Sequence, residues 1–226
     1  MHVQLLTYTP NPEQVVAAAA RLCYSSQSGE EIAAAMQEQD TAAFIGRLRQ
    51  MGHFSTFEHA SFTFAIDGVS RALSHQLVRH RLASYSQKSQ RYVKENHFSY
   101  VVPPSVSRSP QTEEEYRRLM EEIGGLYSRL LEQGVAAEDA RYILPNATVT
   151  NLIMTMNARS LLNFFQLRCC NRAQWEIRHM AQLMRREVQK VAPALFAQAG
   201  PTCESQGICY EGEKCCKKGQ VEIRQR

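Results

Sequence analysis

The chain has 226 residues, of which 44% are hydrophobic and 21% are charged, so it is long enough to bury the core of one domain. Its formal net charge of +4 is too small for a nucleic-acid scaffold and favours small anionic ligands such as phosphates. No run approaches the roughly 18 apolar residues that a membrane helix needs, and the N-terminus shows no leader pattern. These features predict a cytoplasmic protein with neither a membrane nor a nucleic acid as partner.

The N-terminal half predicts alternating strands and helices. Residues 1–9 alternate and predict a strand, and Asn11 is positioned to cap a helix over 12–24. Apolar residues recur at helical spacing over 32–51, which predicts a helix or a helix pair. The stretch SFTFAIDGVS at 61–70 predicts a strand that ends in a turn at Asp67-Gly68, and residues 70–81 predict an amphipathic helix.

The C-terminal half predicts long helices. Glu113 begins an acidic first turn of a helix that extends to Gln133. A sequence with helical character resumes at Glu138, with a break at Pro145. Two further helices are predicted, one around 161–167 that is buried on most of its surface and a second around 177–188. Several long helices with a few strands predict a mixed α/β fold of the α+β type with a small sheet, formed by one domain over 1–200 and a Cys-containing tail over 201–226.

The segment 79–92, RHRLASYSQKSQRY, concentrates cations, hydroxyls and amides directly after a predicted helix. Guanidinium groups are planar, permanently charged and suited to bidentate contact with phosphate. The amides of Gln87 and Gln90 can bind both donor and acceptor edges of a base. A solvated helix end explains any one of these residues, but it explains the whole set less well, which favours an anionic ligand.

A second set of polar residues lies within the apolar stretch of sequence around LLNFFQL. Asn157 and Arg168 are eleven residues apart, so a continuous helix would place them on one face, and Arg159 and Asn163 share another face. Burial of an unpaired polar group costs roughly 1 to 3 kcal/mol, so these side chains should pair within the protein or contact a ligand.

Metal and thiol chemistry find weaker support in the sequence. The histidines lack an H-E-x-x-H pattern, and the six-residue spacing of His53 and His59 does not place them on one helical face, so we expect no metal site there. Cys169 and Cys170 follow an apolar helix, where a buried structural thiol is expected rather than a nucleophile. The tail cysteines lack paired C-x-x-C spacing, which favours disordered thiols over metal ligands; they are Cys203, Cys209, Cys215 and Cys216.

The basic segment fits the pattern R-H-R-x-x-S-x-x-x-x-S-x-R at every fixed position, through Arg79, His80, Arg81, Ser84, Ser89 and Arg91. With it the chain resembles the flavin-dependent thymidylate synthase family. Four further blocks resemble that family in the same order, namely GHFSTFEH at 52–59, RYILP at 141–145, NARSLLNFFQLR at 157–168 and AQWEIR at 173–178. The resemblance covers most of the chain from Leu22 to the tail.

The resemblance implies a methyltransferase that converts dUMP to dTMP. Methylenetetrahydrofolate would donate the carbon, FAD would carry the hydride and NADPH would reduce the flavin. It also implies a mixed α/β fold and a homotetramer in which each active site is built from more than one subunit.

The resemblance also implies roles for individual residues. His53 matches a position near the flavin that is implicated in folate access, and Gln87 stands where some members have glutamate. The residues implied to contact FAD are Ser55, Arg79, His80, Arg81, Gln87, Asn157, Ala158, Arg159 and Asn163. Those implied to contact dUMP are Gln76, Arg79, Gln87, Ser89, Arg91, Arg141 and Arg168.

The chemistry can be argued from the residues themselves. Methylation at C5 of uracil requires electron density there, and a guanidinium beside the pyrimidine can stabilise the anion formed when N3 loses its proton. Arg168 is the candidate catalytic residue, and Ser89 is assigned to substrate positioning. Because no G-x-G-x-x-G occurs, arginine side chains must hold the FAD pyrophosphate. The alternative is a non-catalytic nucleotide- or RNA-binding module that stacks bases on Tyr85 and Tyr92.

Overall fold

The structure is a computed structural model that describes residues 1–37, 39–94 and 98–224. It has a mixed α/β fold, which confirms the predicted class. The longer helices are α1 (Pro12–Leu22), α2 (Gly29–Met36), α3 (Ala42–Gln50), α4 (Arg71–Leu77), α5 (Pro110–Glu132), α7 (Ala158–Arg168) and α8 (Trp175–Val191). The one-turn helices are α6 (Ala137–Ala140) and α9 (Thr202–Ser205). The strands are β1 (His2–Tyr8), β2 (Ser61–Ser70), β3 (Ser84–Gln87), β4 (Val149–Asn157), β5 (Ile208–Cys209) and β6 (Glu222–Ile223).

Four strands form the main sheet in the order β1-β2-β4-β3, and β5 pairs with β6 in parallel as a separate two-stranded sheet. The described chain divides into two compact units. The first contains residues 1–2, 66–79 and 85–153, and the second contains 3–65, 80–84 and 154 onward. The tail therefore belongs to the same compact unit as α7 and α8. The predicted boundary near residue 200 stays a prediction.

An aromatic cluster forms the core of the second unit. The ring centroids of Phe62 and Phe196 are 5.3 Å apart, and Phe165 contacts Phe196 at 6.1 Å, both edge to face. Phe164 lies 5.8 Å from Phe165, and all four rings are fully buried. Such edge-to-face pairs stabilise beyond the area that they bury. They fix α7, which supplies Phe164 and Phe165, against β2 and the segment that follows α8.

Two charged side chains fasten the segment after α8 within the same unit. The carboxylate of Glu13 on α1 accepts a hydrogen bond from the Ala194 backbone N–H at 2.6 Å. Nη2 of Arg49 on α3 donates to the Ala194 and Leu195 carbonyls at 2.5 and 2.8 Å. Because the backbone groups of a loop need partners when they are partly buried, these contacts satisfy the turn that carries Leu195 into the core.

In the first unit, backbone hydrogen bonds fix the start of α4. The N–H groups of Arg71 and Ala72 donate to the carbonyls of Thr148 and Asn146, both at 2.9 Å. The Ser70 hydroxyl caps the helix by accepting from the Leu73 N–H at 3.0 Å. Helix α4 spans Arg71–Leu77 and is therefore shorter than the predicted helix over 70–81, while the basic segment at 79–92 follows the helix end, as predicted.

The predicted turn at Asp67-Gly68 is wrong. Strand β2 continues through both residues to Ser70, and Gly68 adopts φ 69° within it. Its N–H donates to the side-chain oxygen of Asn151 on β4 at 3.0 Å, so the distortion is held by the neighbouring strand. A glycine inside a strand commonly marks such a local irregularity rather than a hairpin.

The prediction that the chain is helical from Glu138 onward, with a break at Pro145, is wrong for residues 149–157. Only α6 and a short 3-10 turn at Arg141–Ile143 precede the Pro145 break, and β4 then spans Val149–Asn157. Thr150, Leu152, Met154 and Met156 are buried, at alternate positions along the strand. A period of two with β-branched residues is typical of a half-buried strand, and this alternation outweighs the helical propensity of the methionines.

Two smaller predictions need correction. Asn11 precedes α1 in a left-handed conformation and makes no side-chain cap, since Pro12 already removes one unpaired N–H at the helix start. The tail is not a set of disordered thiols, because α9, β5 and β6 are formed and the thiols of Cys209 and Cys215 are buried. All seven cysteines are free.

Candidate functional site

Arg168 and His80 meet in the second unit. Nε of Arg168, at the C-terminal end of α7, donates a hydrogen bond to Nε2 of His80 at 2.9 Å. The His80 ring also contacts Phe164 of α7 edge to face, with ring centroids 4.9 Å apart. Two of the sequence blocks that carry the family resemblance, 79–91 and 157–168, therefore converge on one arginine.

The electrostatics of this pair keep His80 neutral. Burial, and then the positive charge of Arg168, lower the pKa of His80 from 6.5 to about 4. Burial also lowers the pKa of Arg168, but a guanidinium stays charged at any ordinary pH. The site thus presents a permanent cation beside an uncharged imidazole at neutral pH.

Other residues predicted to contact FAD gather near the N-terminal end of α7. Asn157 is the last residue of β4 and caps the helix, because its side-chain oxygen accepts from the Ser160 N–H at 2.8 Å. Ala158 follows and is buried, and its N–H donates to the Ala60 carbonyl at 2.8 Å. Asn157 therefore precedes the first helical residue, and its side chain bonds to the backbone where the strand ends and the helix begins.

The exposed face of α7 carries Arg159 and Asn163, four residues apart as predicted. Nη1 of Arg159 lies 2.5 Å from a carboxylate oxygen of Glu58, and about half of each side chain is exposed. Glu58 belongs to the 3-10 turn Phe54–His59, which packs against α7 and also carries Ser55. His53 and Ser55 are both exposed. Of the predicted Asn and Arg group, only Arg168 and Asn157 are partly buried.

A cleft of about 340 Å³ lies at the C-terminal end of α7. Arg168 and Arg172 line it together with residues of the tail, among them Thr202, Cys203 and Tyr210. The sequence did not predict any role for the tail beside Arg168, since sequence patterns do not show which surface a terminal segment covers.

The first unit brings together two of the arginines predicted to contact dUMP. Nε of Arg91 lies 2.6 Å from the carboxylate of Glu138, and Nε of Arg141 donates to the Glu138 backbone carbonyl at 3.0 Å. Burial, and then the charge of Arg141, lower the pKa of Arg71. Arg91 and Arg141 thus both bind Glu138, one at its carboxylate and one at its backbone carbonyl, and the charge of Arg141 acts on Arg71. Clustered guanidinium groups suit a phosphate dianion.

Polar side chains of β3 and of the segment after it lie in the same unit. Gln87 Nε2 donates to the Thr150 hydroxyl at 3.2 Å, and the Ser89 hydroxyl accepts from the Arg91 N–H at 3.2 Å. Gln76 on α4 donates to the Ala72 carbonyl at 3.3 Å. These contacts hold the three side chains in defined positions. Arg79 in this unit and Arg81 in the other are exposed.

Sequence reasoning assigns no role to three residues of these two groups: Glu58, Arg71 and Glu138. It predicts Tyr85 only as a base-stacking ring, but the Tyr85 hydroxyl donates to the Leu77 carbonyl at 3.0 Å and burial raises its pKa to about 12. Glu58 lies inside the GHFSTFEH block and Glu138 three residues before Arg141, so both were within reach of the matched blocks. Nothing in the sequence indicated which arginine each carboxylate would bind.

Metal ligation and a thiol nucleophile can be compared with the structure directly. Among residues 1–37, 39–94 and 98–224, no group of three or more His, Cys, Asp or Glu side chains is arranged to hold a metal ion. Cys169 is buried, as predicted, and burial raises the pKa of its thiol to about 11. Such a thiol carries almost no thiolate at neutral pH. Cys170 is half-buried instead.

No helix within the described part of the chain is long and apolar enough to cross a membrane.

Comparison with known proteins defines the class to which this fold and site belong. The family described as thymidylate synthase complementing protein matches residues 4–194. The flavin-dependent thymidylate synthase of Clostridium tetani is 50% identical over 232 residues, covering 96% of this chain and 93% of the relative. That of Geobacter sulfurreducens is 51% identical with 96% and 94% covered, and that of Thermococcus onnurineus is 43% identical with 93% and 89% covered.

The chain belongs to the flavin-dependent thymidylate synthase family. The resemblance found in the sequence is therefore confirmed at the level of the family.

Proposed function

We propose that this chain is a flavin-dependent thymidylate synthase that reductively methylates dUMP to dTMP, with methylenetetrahydrofolate as carbon donor and NADPH as reductant. The observation that carries the proposal is the contact between Arg168 and His80, because it joins the R-H-R segment to the NARSLLNFFQLR block at a half-buried, permanently charged guanidinium. Family membership supports the same activity. A cytoplasmic location is part of this proposal.

The residues near the N-terminal end of α7 fit FAD. Arg159 offers an exposed guanidinium for a pyrophosphate, and Ser55 and Asn163 offer exposed hydrogen-bonding groups on two elements that pack together. FAD, when bound, supplies the reducing equivalents that no side chain can provide. We assign FAD contacts to the residues of the sequence prediction other than His80, namely Ser55, Arg79, Arg81, Gln87, Asn157, Ala158, Arg159 and Asn163.

The arginines of the first unit are proposed to bind the dUMP phosphate. Arg91 already binds the carboxylate of Glu138 and Arg141 binds the backbone carbonyl of the same residue, and a phosphate dianion offers more acceptor oxygens and more charge. The amide of Gln87 and the hydroxyl of Ser89 lie on the same segment as Arg91 and would orient the nucleoside. Gln76, Arg79 and Arg168 complete the proposed dUMP set, and His53 is proposed to control folate access.

Arg168 is the proposed catalytic residue. Its guanidinium cannot act as a base, but it can stabilise the negative charge that develops when N3 of the pyrimidine loses its proton. The resulting anion carries more electron density at C5, which then attacks the one-carbon unit. A cysteine adding at C6 would achieve the same activation, but the high pKa of Cys169 makes that thiol a poor nucleophile.

A homotetramer with shared active sites is also proposed. Helix α5 buries only Met120 and Tyr127 fully within its 23 residues, whereas Leu119 and Leu126 are 52% and 41% exposed. Ile123 lies between them at helical spacing, so an apolar stripe is available for another copy of the chain. In such an assembly, the residues assigned to one ligand need not come from one chain.

The test replaces Arg168 with Ala. We expect the purified wild-type protein to show the visible absorption bands of bound flavin and to release tritium from dUMP labelled at C5. Arg168→Ala should keep the flavin bands and lose dTMP formation by at least about 100-fold, the scale for removal of one preorganised charge. Normal turnover by this variant would contradict the assignment.

The rival interpretation is a non-catalytic nucleotide- or RNA-binding module. It predicts a colourless protein that does not take up added FAD and that binds RNA with a steep salt dependence. The same visible spectrum therefore separates the two functions.

A further inference from the structure

The hydrogen bond between Arg168 and His80 determines the state of the imidazole. Nε of an arginine always carries a hydrogen, so it can only donate. His80 Nε2, at 2.9 Å, must therefore be the acceptor, and the proton of the neutral ring lies on Nδ1. The Nε2 lone pair is used by Arg168 and is not available to a bound cofactor.

The same contact determines the orientation of the guanidinium. The group is planar, so fixing the direction of its Nε–H restricts the plane in which both terminal amino groups lie. The His80 ring is itself held edge to face against Phe164, one turn before Arg168 on the same helix. The imidazole of His80 thus contacts two side chains of α7, the guanidinium of Arg168 and the ring of Phe164.

We infer that His80 is a positioning residue for Arg168: its unprotonated Nε2 holds Nε of the guanidinium and leaves the Nη edge for the pyrimidine. This inference rests on the proposed catalytic function of Arg168. It differs from the sequence prediction, in which His80 acts as a contact for FAD. It also explains the position of a histidine between two arginines. A third positive charge there would be unfavourable, whereas a neutral imidazole can accept the hydrogen bond that this function requires.

Three replacements of His80 test the inference. Glutamine places its side-chain oxygen close to the position of Nε2, whereas asparagine places it close to that of Nδ1. Phenylalanine keeps a ring against Phe164 without an acceptor. We expect His80→Gln to keep kcat for dTMP formation within a few fold of wild type, and His80→Asn and His80→Phe to lower it on the order of 100-fold, the cost of misplacing a catalytic group by about 1 Å.

The apparent affinity for FAD is the second measurement. If His80 positions Arg168, all three variants should bind FAD within a few fold of wild type, as judged by flavin fluorescence quenching. A loss of FAD affinity in the asparagine and phenylalanine variants that accounts for the loss of turnover would overturn the inference. So would equal activity of the glutamine and asparagine variants.

A spectroscopic measurement avoids turnover altogether. In long-range ¹H–¹⁵N spectra of histidine-labelled protein, the signals missing from His80→Gln identify His80 among the seven histidines. We expect one protonated nitrogen, Nδ1, and one unprotonated nitrogen in the wild type at pH 7. Arg168→Met should raise the pKa of His80, because it removes the nearby positive charge while burial remains. An unchanged titration would show that the two side chains do not interact.

The outcomes separate this inference from the proposed function. If Arg168→Ala retains turnover, the proposed catalytic function fails whatever His80 does. If Arg168→Ala is inactive but His80→Phe turns over normally, the proposed function stands and the positioning function of His80 fails.

Discussion

The neutral imidazole of His80 has a consequence for acid stability. In the unfolded chain His80 should have the ordinary pKa of 6.5, whereas in the folded protein it is about 4, so the unfolded state takes up the proton first. The contribution of His80 to stability is complete above pH 6.5 and is lost as the pH falls toward 4. Because the ring is partly exposed, solvent screens the effect, and we expect a loss of about 1.5 kcal/mol rather than the full value of the shift.

Urea unfolding at pH 7.5 and pH 4.5 measures this effect. His80→Gln cannot titrate, so its free energy of unfolding should fall less than that of wild type over this interval, by about 1.5 kcal/mol. The matched control is His179→Gln, since His179 is an exposed histidine on α8. A pH dependence of the His80→Gln variant equal to that of wild type would contradict the expectation.

The ion pair of Arg159 with Glu58 affects the proposed flavin site. In the absence of FAD, the carboxylate 2.5 Å from Arg159 competes for the cation that a pyrophosphate would use. Exposed ion pairs are worth at most about 1 kcal/mol, so their removal can change affinity by about 5-fold. We expect Glu58→Gln to tighten FAD binding by up to that factor and Arg159→Ala to weaken it by more than 10-fold, as measured by fluorescence titration. Weaker binding in Glu58→Gln would indicate that the carboxylate itself contacts the cofactor.

At the level of elements, Asn157 connects β4 to α7. Its side-chain oxygen caps the helix through the Ser160 N–H at 2.8 Å, and loss of such a cap costs about 1 kcal/mol. Asn157→Ala should therefore lower the free energy of unfolding by about that amount in urea melts without added flavin. Asn157→Asp keeps the capping oxygen and should remain close to wild type. Equal losses in both variants would mean that the amide nitrogen, and not the cap, is responsible.

The long elements were predictable from sequence because their patterns are local. Helix α5 has an acidic first turn and Gly134 directly after its cap, so both ends could be placed to within about three residues. Helix α7 is predicted from its apolar residues instead. Strand β4 was missed because leucine and methionine at alternate positions suit both a strand and a helix, and only packing against β2 decides between them.

The sequence proposes members of the site but does not indicate their contacts. The family pattern proposes Arg91, Arg141 and Arg168, since it is a property of residue order. The partners of these residues are distant in sequence: Arg168 binds His80 across 88 residues, and Arg91 binds Glu138 across 47. No periodicity relates such positions. Only the fold determines which polar side chains meet.

At the level of the whole molecule, the outer face of α5 is the strongest indication of assembly. Leu119 and Leu126 are seven residues apart, so they lie on one side of the helix, with Ile123 between them. Exposed apolar side chains at this spacing are typical of a helix that packs against another chain. In a single chain these apolar side chains contact water, which is unfavourable, and burial in an interface would remove that contact.

Replacing both leucines with glutamate should therefore disrupt the proposed homotetramer. In Leu119→Glu with Leu126→Glu, burying two carboxylates at an interface is unfavourable, and we expect light scattering after gel filtration to report one or two chains in place of four. Circular dichroism should remain unchanged because neither side chain is in the core, while dTMP formation should fall at least about 10-fold as subunits that share active sites separate. Glu121→Gln is the control, since that side chain lies about 200° around the helix from Leu119. A double variant that remains tetrameric would place the interface on another surface, and a fully active wild-type monomer would remove the shared active site from the mechanism.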